Sequence, residues 1–193
     1  MGAREATNAK AQAWAAAQGA RASHGTFREA AEFGEIVVLS VHNSGVRQVV
    51  QELAPLLAGK IVIDTTNPLV PGPDGLAIAH GPHGESLGEQ LQALLPQTKL
   101  VKAFNTVSSR HMVRPRFTPG ADIHIASNHD DAKQAVREVL AALGWAQHGN
   151  RILDFGRLSS AREMEYMCLA FVKHGIRTND WDFTFRFVDV DKA

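Results

Sequence analysis

The stretch that most constrains this chain is Lys60–Leu69, KIVIDTTNPL. Ile61, Val62 and Ile63 form a short β-branched apolar run, the pattern of a strand buried on both faces. Asp64, Thr65, Thr66 and Asn67 follow with carboxylate, hydroxyl and amide groups, and Pro68 stops further ladder pairing. Two other apolar runs end the same way: IVVLSVHN at Ile36–Asn43 and LVKAFNTVSS at Leu100–Ser109. In open α/β sheets, ligands bind outside the carboxyl ends of the strands. Three polar-tipped buried strands are therefore expected to gather their tips along one crevice.

The 193 residues suit one domain with a small C-terminal appendage, residues 158–193. An apolar fraction of 45% and a charged fraction of 21% are those of a soluble globular protein. The formal net charge is zero, so no global field draws in nucleic acid or a membrane. Cys168 is the one cysteine, which rules out an internal disulfide; its apolar helical setting, MEYMCLAFV, reads as a reduced core thiol. No apolar run approaches the ~18–20 residues of a membrane span, and the alanine-rich start has no signal core. The expected location is the cytoplasm.

In chain order, the pattern predicts a helix over about Thr7–Gln18 ended by Gly19, and a short strand at Ala20–Ser23. Thr26–Glu29 is a capping box opening a short helix that ends near Gly34. Ile36–Val41 reads as a strand. After Ser44 comes a helix to about Leu57, with Val46, Val49, Val50, Leu53, Leu56 and Leu57 on its apolar side. Residues 70–84, rich in proline and glycine, read as a loop over the crevice. A helix over Glu85–Leu95, a strand at Leu100–Phe104 and a basic irregular piece at Ser108–Arg116 follow. Then come a strand at Ile123–Ala126, a helix at Asp130–Leu143, a strand at Ile152–Phe155 and a long apolar helix at Leu158–His174. The alternating WDFTFRFV of Trp181–Val188 reads as a half-buried strand. Strands alternating with helices across short connections mean an α/β fold with a mostly parallel sheet.

Few side chains carry a chemical signal. Asn67-Pro68 and Asn105-Thr106 sit at strand ends, where their groups either hold a carboxamide or ribose or satisfy turn backbone. His42, at the third tip, is a turn residue or a proton donor. Arg4 is a solvated arginine or a clamp for an NADP 2′-phosphate, with Lys10 assisting. His80 and His83 form H-x-x-H in a loop with no evident third ligand, so no metal is expected. Arg162 and Glu165, three apart on the long helix, are spaced to pair. A P-loop and G-x-G-x-x-G are both absent from the sequence.

VIDTTNPL, VKAFNTV and GRLSSAREMEYM resemble the NADPH-dependent deazaflavin (coenzyme F420) reductase family, the coenzyme F420-dependent NADP oxidoreductases. GAREATNAKAQAWAAAQGA resembles the segment after that family's second strand, and FREAAEFGEIVVLSV its third helix and fourth strand. The resemblance spans nearly the whole chain. It implies a Rossmann-like doubly wound fold, a homodimer, and hydride transfer between NADPH and a deazaflavin or flavin. The cofactors carry that chemistry, and no catalytic side chain is required. It places Arg4 on the 2′-phosphate, Val41-His42 at the fourth-strand tip, and Asn67, Pro68, Leu69, Asn105, Thr106 and Val107 along the nicotinamide end. Ala3 stands where the family has a hydroxyl residue, and His42-Asn43 where it usually has Pro-Trp.

The resemblance also implies a departure. The family opens with strand, glycine-rich turn, helix and strand, a unit of about 30 residues that has no counterpart here. In the strand order 3-2-1-4-5-6 the first strand is central, so Ile36–Val41 is expected to lack a neighbour and the pyrophosphate cradle to be lost. The expectation is a chain truncated at its start. Three readings stay open: an NADP-linked oxidoreductase acting on a deazaflavin; a non-catalytic remnant binding a partner through its open sheet edge; and an enzyme of this fold serving another small redox acceptor, such as a flavin, quinone or ferric chelate.

Overall fold

The computed structural model describes residues 1–73 and 75–188. The chain opens with β1 (Gly2–Ala3) and α1 (Ala9–Gln18), whose first turn is capped by the Asn8 side chain accepting from Ala11 N at 3.1 Å. After α1 come β2 (Gly25–Thr26), parallel to β1, and α2 (Phe27–Phe33). The expected capping box is present: Thr26 Oγ1 accepts from Glu29 N, and Thr26 N donates to the Glu29 carboxylate at 2.7 Å. Residues 20–23 are not a strand. Gly19–Arg21 coil into a 3-10 turn, and Ala22 N closes it on Gly19 O.

The main sheet is built from β3 (Ile36–Leu39), β4 (Ile61–Asp64), β7 (Lys99–Lys102), β8 (Asp122–Ser127) and β9 (Arg151–Asp154), in that spatial order. Between β3 and β4 runs α3 (Asn43–Leu57). Between β4 and β7 lie an antiparallel hairpin, β5 (Leu69–Gly72) with β6 (Gly75–Ile78), and α4 (Leu87–Leu94). The expected bare loop over 70–84 is thus half structured, because Pro71 and Gly72 occupy a two-stranded edge that tolerates them. Between β8 and β9 runs α5 (Asp130–Leu140), prolonged by a wider turn that ends at Gly144 (φ 101). The long helix is α6 (Ala161–Thr178), terminated by Asn179 in the left-handed region. Within the main sheet, all neighbours are parallel except β7 and β8.

Both faces of the sheet are covered, which is why its strands lack an apolar–polar alternation. Val62 and Leu100 point into a core with α3 and α4, including Val46, Val50, Leu87 and Leu91. Their neighbours Ile63 and Val101 point into a second core with Ile123, Ile125, Val136 and Trp145. The exception is β3. Among the described residues it is paired on one side only, and Val38 is 57% exposed. The pair β1–β2 stands apart as its own two-stranded sheet. No helix among the described residues is long and apolar enough to cross a membrane.

The aromatic tail alternates as expected but forms no strand. Phe183 stacks on Phe171 of α6 with centroids 4.4 Å apart, and Phe187 faces His124 at 5.9 Å. Its backbone meets the end of β8 and the start of β9: Asp122 N donates to Phe185 O, Phe187 N to the Asp122 carboxylate, and the Arg151 guanidinium to Phe187 O. A period of two here reflects aromatic packing on α6, since one paired residue cannot make a ladder. Residues 189–193 of the expected appendage lie outside the described residues.

His124 is wholly buried on β8, its Nδ1 3.2 Å from Thr106 Oγ1 and its ring against Phe155. Burial pushes its pKa from 6.5 down to about 4, against the pull of the Asp122 carboxylate. The unfolded chain therefore takes up this proton first as pH falls. The stabilisation is complete above about pH 6.5 and is lost progressively towards pH 4, amounting to about 3 kcal/mol. Urea unfolding between pH 7 and pH 4 is expected to show that loss, and His124→Leu is expected to flatten the slope. In the core, Leu100→Ala is expected to cost about 2–5 kcal/mol by the same assay.

Candidate functional site at the strand tips

The tips of β4 and β7 do meet. Asn105 Nδ2 donates to Asn67 Oδ1 at 3.0 Å, and Asn67 Nδ2 donates to Asn105 O at 3.3 Å. Asn105 Nδ2 also donates to Met164 O of α6 at 2.9 Å. Asn105 is 4% exposed, and its Oδ1 is a buried acceptor with no partner among the described residues. An orphaned acceptor in a protein interior is costly and asks for a donor. The chain turns into this position through Phe104, whose φ of 62° lies in the left-handed region. A bulky residue there is strained, and such strain clusters at functional sites.

Beneath the amide pair lies a charged cluster that strand periodicity did not reveal. Lys102 is fully buried at the end of β7. Its ammonium donates to Asp64 Oδ2 at 2.9 Å, Glu165 Oε1 at 3.0 Å and Thr66 O at 2.5 Å. Burial disfavours its charge, but the Asp64 and Glu165 carboxylates outweigh that and hold its pKa above the ordinary lysine value. Asp64 Oδ1 accepts from Thr66 N at 2.8 Å and Thr66 Oγ1 at 2.6 Å, which fixes the turn into Asn67. Glu165 also accepts from Leu87 N and Gly88 N in the first turn of α4, and its Oε2 lies 3.1 Å from His80 Nε2. The one sequence signal was a lysine inside an apolar run, LVKAF.

Glu165 therefore does not pair with Arg162 as the spacing suggested. Arg162 turns outward and makes a two-pronged contact with Glu89, both nitrogens at 2.8 Å. The reason is position on the helix: Glu165 faces the sheet, where an ammonium awaits it, while Arg162 lies at the half-exposed edge over α4.

The other sequence candidates are scattered around this centre. Val41 packs against the α3–α4 core. His42 caps α3, its Nδ1 accepting from Ser44 N at 3.3 Å, which is the turn role. Pro68 is buried and Leu69 opens β5. Thr106 is buried against His124, and Val107 is part of the α5-side core. Arg4 is exposed near the first turn of α3; a Cβ on Gly45 would lie 3.7 Å from Arg4 Nη2. Arg4 has no acidic partner among the described residues, and it borders a cavity of about 210 Å³ shared with Arg28 and Glu52. Lys10 is exposed in the first turn of α1, and no hydrogen bond or ion pair ties it to Arg4. His80 and His83 do not converge: His80 meets Glu165, and His83 lies exposed.

Known proteins bear on this arrangement. The family model for NADP oxidoreductase, coenzyme F420-dependent, matches residues 2–68. The F420-dependent NADP reductase of Methanocaldococcus jannaschii is 28% identical over 140 residues, covering 72% of this chain and 60% of that protein. Metalloreductase STEAP3 of Rattus norvegicus is 34% identical over 113 residues, 58% of this chain and 21% of that one. The chain thus spans about a fifth of the metalloreductase and well under two thirds of the methanogen reductase. A solved structure from Arthrobacter sp. FB24, provisionally named an F420-dependent NADP-reductase, superposes with a TM-score of 0.84 at 27% identity. That superposition covers 97% of this chain and 87% of that one. With its Rossmann-like α/β sheet and its amide-tipped strands, the chain is similar to the coenzyme F420-dependent NADP oxidoreductases, whose family model matches its first third.

Proposed function

We propose that this chain works on NADP(H), with the nicotinamide end over the Asn67–Asn105 pair, and serves hydride transfer to a small redox acceptor of the deazaflavin kind. The observation that carries the reading is the orphaned Asn105 Oδ1, an acceptor suited to one N–H of a carboxamide. Asn67 and Asn105 would hold that group. Arg4, which lacks an acidic partner, would face the 2′-phosphate, with Lys10 adding only distant charge. Val41, His42, Pro68, Leu69, Thr106 and Val107 shape the walls. The two ends of the dinucleotide thus meet fitting residues, whereas the pyrophosphate between them meets no glycine-rich turn in these 193 residues. When bound, NADPH supplies the hydride; the protein's share is orientation and exclusion of water.

The acceptor is the less constrained partner. The methanogen relatives are named for F420 and the mammalian ones for metals, so a flavin, a quinone or a ferric chelate stays a candidate beside the deazaflavin. A cytoplasmic homodimer completes the reading, joined through α6 and the aromatic tail, where Tyr166 and Ile176 are exposed. A non-catalytic reading has its own support. A groove of about 720 Å³ runs along the open β3 edge, bordered by Trp14, Phe33 and Val38, and unpaired strand edges recruit partners.

Calorimetric titration separates the two readings. Binding of NADPH at least tenfold tighter than NADH, with the preference erased in Arg4→Ala, is the expected result. Equal affinities would reject the clamp, and no heat with either cofactor would favour the partner-binding alternative.

A further inference from the structure

We propose that Lys102, Asp64 and Glu165 are positioning residues that set the spacing of the two amide tips, and so tune recognition of the nicotinamide ring without touching it. The inference deepens the reading above and rests on it for the ligand, though not for the geometry.

The argument begins with connectivity. One ammonium bonds three elements: β4 through Asp64, the turn after β4 through Thr66 O, and α6 through Glu165. Thr66 is the residue before Asn67. Met164, whose carbonyl accepts from Asn105, is the residue before Glu165. Asn105 itself lies three residues beyond Lys102, across the strained Phe104. Both amides are therefore referenced to one buried point, one through the β4 turn and one through α6.

Charge supplies the second strand of the argument. The cluster places one ammonium and two carboxylates out of contact with water, all at 0% exposure. As a stabilising device this is poor, because desolvation offsets most of the attraction and a packed apolar set commonly does as well or better. An apolar residue at Lys102 would continue the run of Leu100 and Val101 and fill the same space. What an apolar residue lacks is direction: three acceptors at fixed distances hold a strand end, a turn and a helix in one register, which packing alone leaves loose. The sites where precision matters are the two amides that these bonds reference.

The test uses the isotope-labelled full chain and the variant Asp64→Asn/Lys102→Met/Glu165→Gln, in which the cluster carries no charge. Side-chain amide exchange of Asn105 is followed by NMR without ligand. The triple variant is expected to fold with a melting temperature no lower than the parent, yet to exchange these protons at least tenfold faster. It is also expected to bind NADPH at least tenfold more weakly, while 2′-phospho-ADP-ribose, which lacks the nicotinamide ring, binds as before. Unchanged amide protection in the folded variant overturns the proposal, as does equal weakening of both ligands. If the triple variant fails to fold, Glu165→Gln alone must speed the exchange, and the same protection there overturns it. A parent chain that binds no NADPH would defeat the functional reading, leaving the exchange data to decide this one.

Discussion

The interaction on which the rest depends is the burial of the Lys102 ammonium among Asp64, Glu165 and Thr66 O. A lysine at the end of a central strand has no route to water here. It must find its partners inside, and those partners must then be held in place by the fold. Asp64 is directly opposite Lys102 in the β4–β7 ladder, so the parallel register itself brings the first carboxylate into range. The second comes from α6, far along the chain. One charge thus fixes how the terminal helix lies against the strand tips, and both oxygens of Glu165 also reach across to the first turn of α4, where backbone N–H groups are free to donate.

From that anchor the meeting of the strand tips follows. The turn after β4 is shaped by Asp64 and delivers Asn67; the turn after β7 passes through Phe104 and delivers Asn105. Two facing amides satisfy most of each other's needs and leave one buried acceptor over. The strain at Phe104 is sustained by its burial among Val107, Trp145 and the α5-side core. The amide pair is therefore held firmly from below, with one buried acceptor of Asn105 left over.

The opposite flank is less complete. There β3 offers an unpaired edge, Phe33 is 86% exposed, and β1–β2 make a ladder of their own. This flank bears Arg4 and the first turn of α3, where the proposed reading puts the 2′-phosphate.

The sequence by itself determined the class of fold and which strand ends carry polar tips. Buried strands on a two-sided sheet must be apolar throughout, and polar residues can follow only where a strand leaves the core, so Ile61–Asn67 and Leu100–Thr106 announced both strands and tips. The stop at Gly19 and the capping box at Thr26 were readable for the same local reason: each satisfies backbone groups within a turn. Local rules failed where the partner was distant. Arg162 and Glu165 had the spacing of a pair, yet the helix rotates Glu165 inward to Lys102 and leaves Arg162 to Glu89. The tail had the period of a strand, yet its alternation matches Phe171 and His124 rather than a ladder. The hairpin in 70–84 was hidden by its own prolines and glycines. Only the tertiary structure could decide that Lys102 is a buried hub, because periodicity reports which face a residue takes, whereas a charge is buried only where carboxylates from elsewhere in the chain arrive to meet it.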